Sequence, residues 1–352
     1  MTFAILSTIT AFIIAFGRQI SVFSKVKRGL WFFSNFEFKR FVFLIISIAF
    51  GLLSLKTSSI STGVFILLGL SVFFSLFSYF FDMKYFFPEI SHVIHKSARD
   101  MKVEDDIQII GLTINQDAFA YPLNEVVIPR HIINDEIEGH KILISFCALC
   151  QSALAFRAEV ANKKLYFKVA GVWRRNMIII DNQTQSLWQQ ATGECIYGPL
   201  KGSQLPLLSG ENTTYAEWKK QHPFTFFASE CKEARKGFWT REKMNKLLHR
   251  VVHRVTMPGY SDLSELPERE IVFGIIFNGI SRAYPQSALL KKRFFEDQFH
   301  NKSISLEYIP EAEYLYARDK ITNQRIIIEK HWWLGWKEFH PETTIWKDNE
   351  PS

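Results

Sequence analysis

The chain has 352 residues, enough for two modest domains with separate cores, and 47% of them are hydrophobic, with phenylalanine filling 33 positions. Lys and Arg outnumber Asp and Glu by 42 to 35, a net charge of +7 that suits an anionic membrane surface as readily as a polyanion. With no RNA-binding signature, zinc-finger spacing or basic-aromatic stripe, nucleic acid is set aside as a partner. Four cysteines (Cys147, Cys150, Cys195 and Cys231) are too few for a disulfide scaffold.

In chain order, the first 85 residues read as a membrane region with about three transmembrane helices, at 1–17, 41–55 and 60–81. The third run is long enough to span, while the first two are short and need Arg18, Arg40 or Lys56 to snorkel. The loop 18–40 holds six Lys or Arg and the link 56–62 only Lys56. Three spans with the basic loop inside place the soluble part in the cytoplasm; loss of one span reverses that, so the side stays open. The chain is expected to be an integral membrane protein of a bacterial inner membrane, with the lipid bilayer as a partner.

From residue 86 the composition becomes that of a globular protein. Period-two runs at 107–114, 141–146, 164–171 and 176–181, bounded by turn residues, predict strands. Helices are expected at 214–223 and within the basic linker 229–261. IQIIGLTINQDAFAYP (107–122) is echoed by IVFGIIFNGISRAYP (271–285), and WKKQHP (218–223) by WKEFHP (336–341). This order suggests a first copy over 86–228 and a shorter, degenerate second copy over 262–347. The expected fold class is α+β: a strand-rich soluble domain with internal duplication, preceded by transmembrane helices.

Where the first copy has Cys147 and Cys150, the second has Ile309 and Ala312. A fold that builds the same turn without sulfur does not need the thiols for shape. Three readings of the CxxC pair stay open: redox thiols, two ligands of a metal site, or structural sulfurs in a binding module. For redox chemistry the expected roles are Cys147 as nucleophile, Cys150 as resolving thiol and His131 as base. A metal site would need further ligands beside Cys147 and Cys150, with His131 the best candidate and zinc or copper the ion; otherwise no cofactor is expected. Trp188, Gln190, Thr192 and Glu194 fall at alternate positions, so a strand would set them on one face as a pocket wall. Arg175 and Asn176 stand ready to join that pocket as substrate contacts.

Several of these segments form an ordered set: FPEIS (87–91), AYP (120–122), HIIND (131–135), ISFCALCQSALAF (144–156), DNQTQSLWQQATGECIYGPLKG (181–202) and WKKQHP. The set resembles the domain of unknown function 3179, in which the cysteine pair is sometimes occupied by selenocysteine. That usage implies redox chemistry at the position, without an established reaction. The chain departs from the family pattern at Ile132, where a Glu is usual, at Ala148 for Pro and at Phe146 for Tyr. The reading is of a membrane-anchored protein with thiol-disulfide oxidoreductase-type chemistry, served by an unknown redox partner or small ligand. The alternative is a membrane-tethered module that binds a metal ion or small ligand.

Overall fold

The computed structural model describes residues 1–23, 27–57, 61–230 and 240–348. Cys231 and the head of the basic linker lie outside the described residues. Three helices, α1 (Thr2–Phe23), α2 (Phe36–Thr57) and α3 (Thr62–Phe80), are long and apolar enough to cross a membrane. The first two outrun their uncharged cores because each continues through charged residues at one end. Arg18 and Arg40 are both buried there. They do not snorkel: Asp82, just beyond α3, accepts Arg40 at 3.2 Å and sits 3.8 Å from Arg18. Pairing removes the cost of holding either cation at the membrane boundary.

The bundle is joined by one serine from each helix. The Oγ atoms of Ser7, Ser47 and Ser71 lie 3.2, 2.9 and 2.8 Å apart in the three pairings. Lipid tails offer no hydrophobic drive for helix association, so small residues that permit close approach and shared hydrogen bonds hold such seams. Phe41, Ile45, Phe65 and Phe73 face outward instead.

Beyond the membrane helices the chain forms two lobes with the same strand order. In the first, a sheet runs Glu211–Thr214, Gln108–Ile114, Asp117–Pro122, Thr225–Glu230, with Val93–Ser97 added at the edge. In the second it runs Glu329–Trp332, Ile271–Phe277, Ile280–Pro285, Thr344–Ile345. In both, the strand ending in Ala-Tyr-Pro pairs parallel with the strand after the Trp helix and antiparallel with the strand before it. A three-stranded antiparallel sheet follows in each lobe: Ile132–Ile137, His140–Cys147 and Ser152–Arg157 in the first, Phe294–Phe299, Lys302–Ile309 and Tyr314–Asp319 in the second.

Shared sequence motifs have shared physical jobs. Trp218 Nε1 donates to Thr225 Oγ1 at 3.0 Å and its ring stacks on His222; Trp336 Nε1 donates to Thr343 Oγ1 at 2.9 Å and stacks on His340. The opposing strand residue is Gly111 in one lobe and Gly274 in the other, where any Cβ would enter the indole at 2.5 or 2.1 Å. Tyr121 and Tyr284 donate their hydroxyls to Asp135 and Asp297. Asn134 clamps the backbone of Phe167, accepting from its N–H at 2.6 Å and donating to its carbonyl at 2.9 Å.

The segment that lengthens the first lobe is a four-stranded sheet: Phe167–Trp173, Asn176–Asp181, Leu187–Gln189 and Cys195–Tyr197. Its outer face packs on Leu30 and Phe33 from the loop between α1 and α2. The linker forms a helix, Arg241–Arg254, that buries Val252 and packs Leu248 on the first lobe's core, leaving Leu247 and Val255 exposed. The docking stripe is therefore one residue round the helix from the expected Leu247–Val251–Val255 face.

Candidate functional site

The strand His140–Cys147 ends at the first cysteine, and a turn carries the chain through Cys150 into Ser152–Arg157. Gln151, with φ 51°, closes that turn in the left-handed region. In the second lobe the corresponding strand ends at Ile309 and Glu313, with φ 45°, closes a turn through Ala312. The turn is thus built with and without sulfur.

Both cysteines are free thiols in the interior, Cys147 1% and Cys150 0% exposed. Donors surround the Cys150 sulfur. Asn176 Nδ2 reaches it at 3.1 Å, and Ser152 Oγ lies 3.2 Å away, able to turn its proton toward Sγ or toward Gln190 Oε1 at 3.1 Å. The Asn176 amide is oriented by two donors on its oxygen, Gln189 Nε2 at 2.8 Å and the Ala191 N–H at 3.0 Å. Gln190 completes the network: its Oε1 accepts from Asn176 at 2.9 Å and its Nε2 donates to Ser145 Oγ at 3.2 Å. The sheet present only in the first lobe supplies Asn176, Gln189 and Gln190.

The remaining partner comes from the second lobe. His331, on the strand Glu329–Trp332, stands beside the Cys150 thiol and is oriented by Glu329 Oε2, 3.0 Å from its Nε2. Its Nδ1 is buried without a hydrogen-bond partner. The next residue docks the backbone: Trp332 N–H donates to Cys150 O at 2.7 Å. One turn on, Gly335 lies so close that an added Cβ would sit 2.2 Å from Cys150 Cβ. The contact is reciprocal, since Glu211 on the matching first-lobe strand accepts from Tyr314 at 3.2 Å and Arg325 at 2.9 Å in the second lobe.

These neighbours separate the two thiols electrically. Burial opposes ionisation of both. At Cys150 the hydrogen bonds from Cys147 and His331 more than offset it and hold the thiol well below its ordinary value. At Cys147, burial and the neighbouring Cys150 together push the thiol up. Burial also disfavours a charged His331, yet bonding to Cys150 and Glu329 raises it to about 9. Cys150 thus gives up its proton more readily than Cys147, and His331 holds one more readily than a free imidazole.

Other sequence-expected residues have different surroundings. His131 packs between Phe87 and Phe146 with ring centroids at 4.3 and 5.6 Å, and bonds the Ile128 backbone; burial lowers it to about 4. Its partners are aromatic rings and backbone, and the imidazole beside the thiols is His331. Among the described residues no group of three His, Cys, Asp or Glu is arranged to hold a metal ion. Arg175 faces the other way and, with Arg174, clasps the buried Glu338 of the second lobe at 3.2 and 2.8 Å. The expected one-faced strand from Trp188 to Glu194 stops at Gln189, because a turn folds back with Gly193 N–H on Gln189 O at 2.8 Å. Gln190 therefore reaches the thiol network, while Trp188 is buried and donates to Asp181 Oδ2 at 2.9 Å. Thr192 caps the Glu194 N–H at 3.2 Å, and Glu194 is exposed.

His331 and Glu329 were missed because their strand was read only as scaffold. Aligning Trp336 with Trp218 sets Glu329 on Glu211 and His331 on Thr213, so the lobe without the cysteine pair carries the imidazole.

A cavity of about 300 Å³ lies between the lobes next to His331, lined by Phe146, Gln151, Asn212, His331 and Trp332 among others.

A family model for proteins of unknown function, DUF3179, matches residues 86–329, more than half of the chain. The chain belongs to the DUF3179 family. The matched region contains every first-lobe residue of the thiol network and ends at Glu329, two residues before His331. No curated protein and no solved structure matches the chain.

Proposed function

We propose that this DUF3179 protein is a membrane-anchored thiol-disulfide reductase of a small disulfide, with Cys150 as the nucleophile and Cys147 as the resolving thiol. The observation that carries the reading is the polar pocket of Cys150, with Asn176 Nδ2 and Ser152 Oγ 3.1 and 3.2 Å from its sulfur and His331 beside it. An ionised thiol is the attacking species in exchange, and this thiol alone of the two is stabilised as an anion. The roles are the reverse of those expected from the sequence, and His331 replaces His131 as the acid-base group.

In the proposed cycle the Cys150 thiolate attacks one sulfur of the substrate, breaking its S–S bond and forming a mixed disulfide. The departing thiolate takes the proton of His331. Cys147 then passes its proton to the neutral imidazole and attacks Cys150 Sγ, releasing the second substrate thiolate, which takes that proton in turn. The substrate gains two electrons and two protons, and the protein is left with a Cys147–Cys150 disulfide for an external dithiol to reduce. Access through the interlobe cavity supports a small substrate over a folded protein. We further propose that the lobes arose by duplication and then divided the chemistry, a reading supported by their common strand order.

A cytoplasmic location fits this direction of transfer, because thiols rest reduced there. It is supported by the loop 18–40, with six Lys or Arg, packing on the first lobe through Phe33 and Ser34. The test uses purified full-length protein and oxidised glutathione as a probe. Mass spectrometry should find an adduct on Cys150 in Cys147→Ser and an internal disulfide in the parent. An adduct on Cys147 in Cys150→Ser, with none in Cys147→Ser, would overturn the assignment.

A further inference from the structure

A cavity of about 790 Å³ lies where the membrane bundle meets the first lobe. Its floor is one face of α2: Asn35, Phe38, Lys39, Val42 and Phe43 recur at the spacing that aligns side chains on a helix. Trp31 and Ser34 precede them. The roof is the segment Tyr197–Pro199 with Lys201, which overhangs the head of the helix.

The chemistry of this cavity changes along its length. At the lobe end stand Lys39, Lys201 and Asn35, and at the membrane end Phe38, Val42 and Phe43. Lys39 donates to the carbonyls of Trp31 and Ser34 and lies 4.3 Å from the Trp31 ring centroid. Those bonds fix the ammonium and use two of its three donors, leaving one for a ligand. Lys201 is exposed. Below the opening, the outer face of α2 continues as exposed Phe41, Ile45 and Ile48, the surface that acyl chains cover. Among the described residues no carboxylate lines the cavity.

We propose that this cavity is a binding site for one anionic phospholipid, its phosphate held by Lys39 and Lys201 and its chains lying along α2. A fixed Lys39 and an exposed Lys201 above an apolar stripe match an amphiphile with a negative head. Basic pockets where membrane helices meet the interface bind such headgroups. Bound there, the lipid bridges α2 and the sheet that supplies Asn176 and Gln190, so it would stiffen the platform of the thiol site without touching it.

The test compares full-length protein in nanodiscs of phosphatidylglycerol and of phosphatidylcholine with identical chains, using native mass spectrometry to count retained lipid. Wild type should retain the anionic lipid preferentially, and Lys201→Glu should cut that preference about fivefold, the effect of one lysine at an anionic surface. Lys163→Glu, an exposed lysine on a remote hairpin, serves as the charge control and should leave it unchanged. Equal loss in both variants would mean a diffuse charge effect and overturn the proposal. So would equal retention of the two lipids by wild type. Binding of glycerol phosphate as tightly as the lipid would make the site one for a free anion and also overturn it.

Discussion

Replacing His331 with Gln removes the imidazolium beside Cys150 while keeping a polar side chain of similar reach. Burial then weighs more heavily on the thiol, which keeps Cys147, Ser152 and Asn176 as neighbours that favour its ionisation. A thiol at the ordinary value of 9.0 is only about 1% ionised at pH 7, whereas the parent is held well below that value. The loss of thiolate at neutral pH is thus up to about 100-fold. Reactivity falls less, because a more basic thiolate is about threefold more nucleophilic per pKa unit. Each unit of upward displacement therefore slows attack at pH 7 by only about three- to fourfold. The shape of the pH profile decides the matter better than a single rate. In a Cys195→Ser, Cys231→Ser background, ultraviolet absorbance of thiolate should show one ionised cysteine at pH 7, lost only in acid. In His331→Gln the same signal should appear only as pH rises through 9. Identical titrations of parent and variant would refute the ion-pair argument, whether or not the variant reacts more slowly.

Gly335→Ala pushes a methyl group into Cys150 and should destabilise the protein by about 1–3 kcal/mol as overpacking does, while shifting the thiolate titration upward. Gly274→Ala, which strikes Trp336 instead, should lower the melting temperature but leave that titration in place. Glu338→Ala strips the acceptor from Arg174, Arg175 and the Tyr260 and Ser261 N–H groups, and should cost on the order of 3 kcal/mol by chemical denaturation. His131, lowered to about 4 from 6.5, takes up a proton more readily unfolded than folded. Its contribution is intact above pH 6.5 and is lost as pH falls toward 4, by up to about 3 kcal/mol. His131→Asn, which suits the left-handed backbone there, should flatten the melting-temperature profile over that interval. His331, raised to about 9, works in the opposite sense: its contribution is present below 6.5 and fades as pH rises through 9.

The membrane helices and most strands were legible because each rests on local pattern, uncharged length or alternation. The cysteine turn drew notice because the second lobe has Ile309 and Ala312 there. Its histidine neighbour did not. His131 lay near the motif in sequence, and only tertiary packing brings His331 to Cys150 across the lobe interface. The Trp188–Glu194 alternation failed for a local reason, since Gly193 in a positive-φ turn ends the strand after three residues. The ion pairs of Arg18 and Arg40 were not legible because only the packing of the three helices brings Asp82 to both cations.

The position of His331 near the end of the chain also sets an order in time. During synthesis Cys147 and Cys150 emerge with the first lobe, long before the strand Glu329–Trp332 has been made. Until that strand docks, Cys150 lacks both the Trp332 N–H on its carbonyl and the close cover of Gly335. The pocket around the cysteines is therefore closed by a segment made long after them.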